Sequence, residues 1–218
     1  RVAANVPRFE DGKFGKAVMV EEGTTNLIVN GNFTNGLTGW AANQNVILSI
    51  ESENSRQFCK VVCNQSSSTP GLKQASSFVV SPNTTYTLSL LGYQNTDVDE
   101  IRAYIWGNGS GYWLINGALL GLTTKLSKRS ITFTTSANDT LLQVHILWGS
   151  PQIGDWFKIT DIQLEANPYA TSFIDGTRAA ESLTIPTENV LNPQEGTIEC
   201  WVYLDGDILA TSPAANHY

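Results

Sequence analysis

Between Asn26 and Glu165 apolar and polar residues alternate in about nine or ten short runs, and helical periodicity is almost absent. Turn signals separate the runs, among them Asn30-Gly31, Asn35-Gly36, Pro70-Gly71, Ser81-Pro82-Asn83, Asn116-Gly117 and Gly149-Ser150-Pro151. A run of period two has one apolar face and cannot bury it alone. Many such runs in sequence therefore predict an all-β chain folded as a β-sandwich.

The runs predict strands at 27–29, 46–50, 58–63, 72–80, 85–93, 100–106, 119–124, 130–134, 141–148 and 155–165. In 85–93, Tyr86, Leu88 and Leu90 share the core side, and Thr85, Thr87 and Ser89 face water or a ligand. In 100–106, Ile101, Ala103 and Ile105 point inward, which sends Arg102, Tyr104 and Trp106 outward. In 141–148, Leu142, Val144, Ile146 and Trp148 share one face, and Gln143, His145 and Leu147 share the other. The final run changes register character midway, which suggests a bulge or a closing strand at an edge.

Charged residues are 15% of the chain, against about 25% in ordinary soluble domains. With 13 Lys and Arg against 20 Asp and Glu the formal charge is -7, which disfavours nucleic acid and fits an uncharged partner such as a glycan. No run of 18 apolar residues is present, so no membrane helix is expected. The chain starts at Arg1, as expected of a mature or excised piece with covalently linked neighbouring domains.

Cys59 and Cys63 lie four residues apart in an extended run, roughly 13 Å between Cα atoms, so they are expected as buried free thiols. Sequons begin at Asn32, Asn64, Asn83, Asn108 and Asn138. Trp40, Trp148 and Trp156 are expected in the core. Asp97, Asp99, Glu100, Asp155, Asp161 and Glu165 gather at strand ends without an apolar setting, and no nucleophile elbow, zinc motif or phosphate loop is present, so no enzymatic role is expected.

Residues Asn26-Leu27, Asn30-Gly31-Asn32-Phe33 and Gly39-Trp40, together with the run Phe157 to Leu164, resemble the signature of the carbohydrate-binding module superfamily of families 4, 9, 16 and 22. The resemblance spans 26–165 and implies a jelly-roll β-sandwich that binds polysaccharide without catalysis in a cleft or on a concave sheet. It also implies a structural Ca²⁺ between first and last strands. The carboxylate usual after the Phe is replaced by Thr34, leaving Asn32, Thr34 and Asp161 as the expected metal set. The flanks, 9–20 and 195–204, are similar to early strands of laminin G-like or concanavalin-like sandwiches, modules found in secreted glycan-active proteins and phage tails. Extracellular, cell-surface or virion-tail placement follows from that resemblance. The domain plan is therefore an N-terminal arm at 1–25, a sandwich at 26–167, and at 168–218 a connector with the first strands of an incomplete second sandwich.

A sugar ring offers an apolar C–H face and a rim of hydroxyls, so its receptor needs an exposed aromatic plate among polar groups. Tyr104 and Trp106 with Arg102 supply plates and a donor, Gln143 and His145 supply polar partners, and Tyr112 and Trp113 wall the cleft from a loop. The competing expectation is a structural or adhesion module of a cell-surface or phage tail protein, with the same aromatics in a protein interface.

Overall fold

The computed structural model describes residues 8–12, 15–65, 69–96, 100–109, 113–184 and 202. These form strands and turns, and no helix among them is long and apolar enough to cross a membrane. The strands are β1 (Arg8–Gly12), β2 (Gly15–Met19), β3 (Thr24–Thr25), β4 (Trp40–Asn43), β5 (Val46–Glu53), β6 (Arg56–Cys63), β7 (Gly71–Gln74) and β8 (Phe78–Val79). They continue as β9 (Thr85–Gln94), β10 (Ile101–Gly107), β11 (Trp113–Leu119), β12 (Ser127–Thr134), β13 (Leu141–Trp148), β14 (Trp156–Glu165) and β15 (Thr177–Arg178).

The chain divides into two compact units, one made of Arg1–Glu22 with Ala180–Tyr218, the other Gly23–Ala179. In the first, β1 and β2 pair as an antiparallel hairpin, and Glu181 N–H donates to the Glu21 carbonyl at 2.9 Å. Of the expected second-sandwich strands, Leu183 and Thr184 are described and lie in no strand, and 196–204 falls outside the described residues except for Val202.

The second unit is the sandwich. One sheet runs β11-β10-β13-β7-β4, with β8 also on β13, and the other runs β12-β9-β14-β6-β5. Sequence neighbours such as β9 and β10 lie in different sheets, so the chain crosses between layers as a jelly roll requires. Ile101, Ala103 and Ile105 of β10 and Leu142, Val144 and Ile146 of β13 fill the interior with Tyr86, Leu88 and Leu90 of β9. Trp148 of β13 meets Phe157 of β14 across the layers at 4.7 Å between ring centroids. Each large side chain buried this way contributes about 1.5–3 kcal/mol. Cys59 and Cys63 are buried free thiols, and burial pushes the Cys59 thiol up to about 12.

The opening segment is held by side chains rather than as a strand. Asn26 Oδ1 accepts from Ile28 N and Leu164 N while its Nδ2 donates to the Ile162 and Ile174 carbonyls. This local side-chain competition for backbone groups is why the expected strand at 27–29 does not form. Asn30, in the left-handed region at φ 55°, donates to Gly36 O and Thr38 O and accepts from Asn35 N, building the turn that delivers Trp40. Phe33 and Trp40 are buried, their rings 5.6 Å apart.

Other expectations are corrected by long-range packing. The run 72–80 splits into β7 and β8, and 119–124 contributes only its first residue to a strand. A bulge does occur at Asp161, φ 50°, but β14 lies inside its sheet between β9 and β6, not at an edge. Thr87 and Ser89 are buried rather than wet, because 166–173 lies over them: Thr87 Oγ1 donates to Asn167 O and Lys128 Nζ to Thr171 O. Segment 168–179 thus belongs to the sandwich, anchored by buried Glu165, whose carboxylate accepts from Thr24, Gln163, Asn167 and Thr171. Trp156 is half-buried, not core: it lies on the outside of its sheet, with Lys60 and Lys158 Nζ 5.3 and 5.2 Å from its ring.

Candidate functional site

Strand pairing decides which outward side chains of the six-stranded sheet become neighbours. Along β10 and β13 the partners are Arg102 with Leu147, Tyr104 with His145, and Trp106 with Gln143. On the far side of β10, Tyr104 faces Asn116 and Trp106 faces Trp113, through two register shifts. On the far side of β13, His145 faces Lys73, which in turn faces Ala41 of β4. One continuous row therefore reads Asn116, Tyr104, His145, Lys73, Ala41 across five strands.

Of the residues expected at the site, Arg102, Tyr104, Trp106, Trp113, Gln143 and His145 lie on this one face, and Tyr112 lies outside the described residues. Trp113 is the first residue of β11 rather than part of a loop, and it stays 38% exposed. Its ring stands edge-on to Tyr104 at 5.6 Å and to His145 at 5.1 Å. Gly117, φ 81°, makes room for Tyr104: a Cβ there would lie 3.1 Å from the tyrosine hydroxyl. Arg102 Nη1 donates to the Gly117 carbonyl at 3.0 Å, which holds the guanidinium against β11.

His145 is buried, and burial, reinforced by the Lys73 charge, pushes its pKa down to about 4. It is therefore neutral at pH 7. Gln143 Nε2 donates to the Gln74 carbonyl at 2.8 Å, leaving Gln143 Oε1 to accept from His145 Nε2–H at 3.0 Å. That pattern assigns the proton to Nε2 and leaves Nδ1 as an acceptor. Gln74 Oε1 accepts from Val144 N at 3.1 Å, filling the ladder position lost where β7 ends before β8 begins.

The loop after Trp106 is held close to the sheet. Buried Asp139 accepts from Gly109 N and Ser136 N, both at 2.9 Å, and a Cβ on Gly107 would lie 2.3 Å from its Oδ1. Lys73, Gln74 and Asp139 were not singled out by sequence, and Asn116-Gly117, expected as a turn, lies inside β11. A lone lysine or glutamine in an extended run carries no mark until its cross-strand partner is known.

Chemically the face offers aromatic edges and plates, a neutral imidazole, a carboxamide and two cations. The nearest described carboxylate is Glu100, just before β10 beside Arg102, where it accepts from Ser150 N at 2.8 Å.

The expected calcium set behaves differently. Asn32 Oδ1 accepts from Thr34 N and Thr34 Oγ1, and Asn32 Nδ2 donates to Asp175 at 3.0 Å. Asp161 lies 3.6 Å from Arg56 Nε, whose charge opposes a cation there. As placed, Asn32 is engaged by Thr34 and Asp175, and Asp161 by Arg56. No group of three or more His, Cys, Asp or Glu among the described residues is arranged to hold a metal.

The family model of the carbohydrate binding domain matches residues 25–151, more than half of the chain. The chain belongs to that family. No curated protein sequence matches it. Solved structures share the fold of this carbohydrate binding domain at low identity. The CBM22-1–CBM22-2 tandem domain of Paenibacillus barcinonensis Xyn10C superposes with a TM-score of 0.52 at 16% identity, covering 72% of this chain and 49% of that one. The MgGH51 α-L-arabinofuranosidase gives 0.52 at 19%, covering 71% and 28%. The enzymatically active domain of bacteriophage CBA120 tailspike protein 4 gives 0.51 at 11%, covering 64% and 21%. The chain thus spans between about a fifth and a half of these structures' own lengths.

Proposed function

We propose that the outer face of the six-stranded sheet binds a polysaccharide or oligosaccharide without catalysis, as an accessory module acting outside the cell, at a cell surface or on a virion tail. The observation that carries this reading is the gathering of Tyr104, Trp106 and Trp113 around neutral His145 on one open sheet face. An aromatic plate takes the C–H face of a pyranose, while His145 Nδ1 accepts from a sugar hydroxyl and Arg102 donates to ring or glycosidic oxygens. A neutral imidazole suits hydroxyl recognition because it accepts at one nitrogen.

Glycan-array screening of the wild-type chain, followed by titration of Trp106→Ala, tests the proposal. Binding of a polysaccharide that drops at least about tenfold in Trp106→Ala, with the melting curve kept, supports it. If no glycan binds and the wild-type protein self-associates through Trp106 and Trp113, the face is a protein interface and the reading fails.

A further inference from the structure

The outer face differs in charge from the chain that carries it. The sequence has 20 acidic residues against 13 Lys and Arg. Yet the charged side chains that the described strands project from this face are Lys73 and Arg102, both cationic, and the one carboxylate near them, Glu100 just before β10, lies at the Arg102 end and is engaged by Ser150 N. On the opposite sheet lysines are matched: Lys60 meets Glu51 at 3.0 Å, and Lys158 meets Glu51 at 2.6 Å and also Glu53. The Lys73 ammonium makes no hydrogen bond or ion pair with any described residue, although the residue is half-buried in mid-sheet beside His145. An ammonium with no counter-charge among the described residues is free to meet a bound anion, while its stem lies along the sheet.

The position of Lys73 also fits a ligand already stacked on the aromatics. His145 separates it from Tyr104 in the cross-strand row, so the two backbones are roughly 10 Å apart at ordinary strand spacing. A sugar chain crossing the strands from Trp113 and Tyr104 toward β4 would lay a substituent within reach of the Lys73 ammonium. Arg102 uses one of its donors on Gly117 and keeps the others for the same chain.

We infer that the ligand of this face is an anionic glycan, a polysaccharide bearing carboxylate or sulfate groups, with Lys73 meeting the anion beside the aromatic platform. This rests on the proposed glycan-binding role and narrows its ligand class; the whole-chain charge alone favours an uncharged ligand.

The test is calorimetric titration of the full 218-residue chain with polygalacturonate, dextran sulfate and two neutral polysaccharides, xylan and mixed-linkage β-glucan. Wild type, Lys73→Gln and Lys73→Arg are compared. The expected result is binding of a polyanion that weakens with added salt, falls about tenfold or more in Lys73→Gln and is retained in Lys73→Arg. The arm that binds, polygalacturonate or dextran sulfate, identifies carboxylate or sulfate as the anion. The Lys73 ammonium has no partner among the described residues to lose, so unchanged melting of Lys73→Gln separates lost binding from lost folding. Neutral polysaccharide binding with no preference for the anionic ones overturns the inference and leaves the glycan-binding role standing. Polyanion binding equal in wild type and Lys73→Gln also overturns it, as does no binding to any of the four, while the glycan array decides the glycan-binding role itself.

Discussion

The ring of Trp113 stands edge-on to the imidazole of His145, 5.1 Å between centroids with the planes at 89°. The two residues are not strand partners, since Tyr104 of β10 lies between β11 and β13. Trp113 reaches over that strand and closes a three-ring cluster on the outside of the sheet. The cluster is open to solvent on one side, so it can lose a ring without collapsing the core.

Replacing Trp113 with Ala should therefore weaken glycan binding about tenfold, the worth of one aromatic contact with its buried area. Thermal stability should fall only slightly, because the indole is 38% exposed. The control is Trp156→Ala on the opposite sheet, which should leave binding unchanged. Isothermal titration with the glycan selected on the array, alongside melting curves, measures both.

Acid stability should carry the signature of His145. The folded chain keeps the imidazole neutral down to about pH 4, while the unfolded chain protonates it from about 6.5. Between those values the unfolded state binds more protons, so stability falls as pH drops from 6.5 toward 4 and is flat above 6.5 on this account. Glu51 and Glu53 are held below the ordinary carboxylate value by the Lys158 hydrogen bond, so their contribution is lost at lower pH and is shared by any His145 variant. Urea midpoints measured from pH 7 to 4 should decline less steeply in His145→Gln than in wild type.

Gly31→Ala should destabilise the sandwich by about 3 kcal/mol. A Cβ at this position would lie 2.0 Å from the Ile162 carbonyl oxygen, a backbone atom of the closing strand that cannot turn aside. The Gly31 carbonyl also accepts from Ile162 N, so any shift breaks the contact that joins the chain's entry to β14. Chemical denaturation gives the value, and an unchanged midpoint would sink the packing account.

Removing the Glu165 carboxylate should cost about 3 kcal/mol or more, since Glu165→Ala strands the buried donors of Thr24, Gln163 and Thr171 together. Glu165→Gln keeps an acceptor and should fall between wild type and Ala. Equal urea midpoints for the two variants would show that hydrogen bonding at this hub does not matter.

The all-β class, the sandwich core and the outward direction of Arg102, Tyr104, Trp106, Gln143 and His145 were legible in the sequence. Each follows from alternation within a single strand, and the pleat makes that alternation local. The strand expected at 27–29 failed because Asn26 takes the backbone groups a ladder would need. The wet face expected of Thr87 and Ser89 failed because 166–173 covers it, a contact between segments distant in the chain.

Alternation along the chain thus determined which side of its strand each residue takes. Which strands lie side by side was decided only in the tertiary structure, because pairing β10 with β13, and β13 with β7, depends on how two sheets share one core. That pairing sets Lys73 beside His145 and Trp113 over Tyr104, so an unremarkable lysine joins the aromatics on one face. The side chains of Asn32 and Asp161 likewise meet partners distant in sequence, Asp175 and Arg56. Local periodicity carries no information about such partners, since it ends where the strand ends.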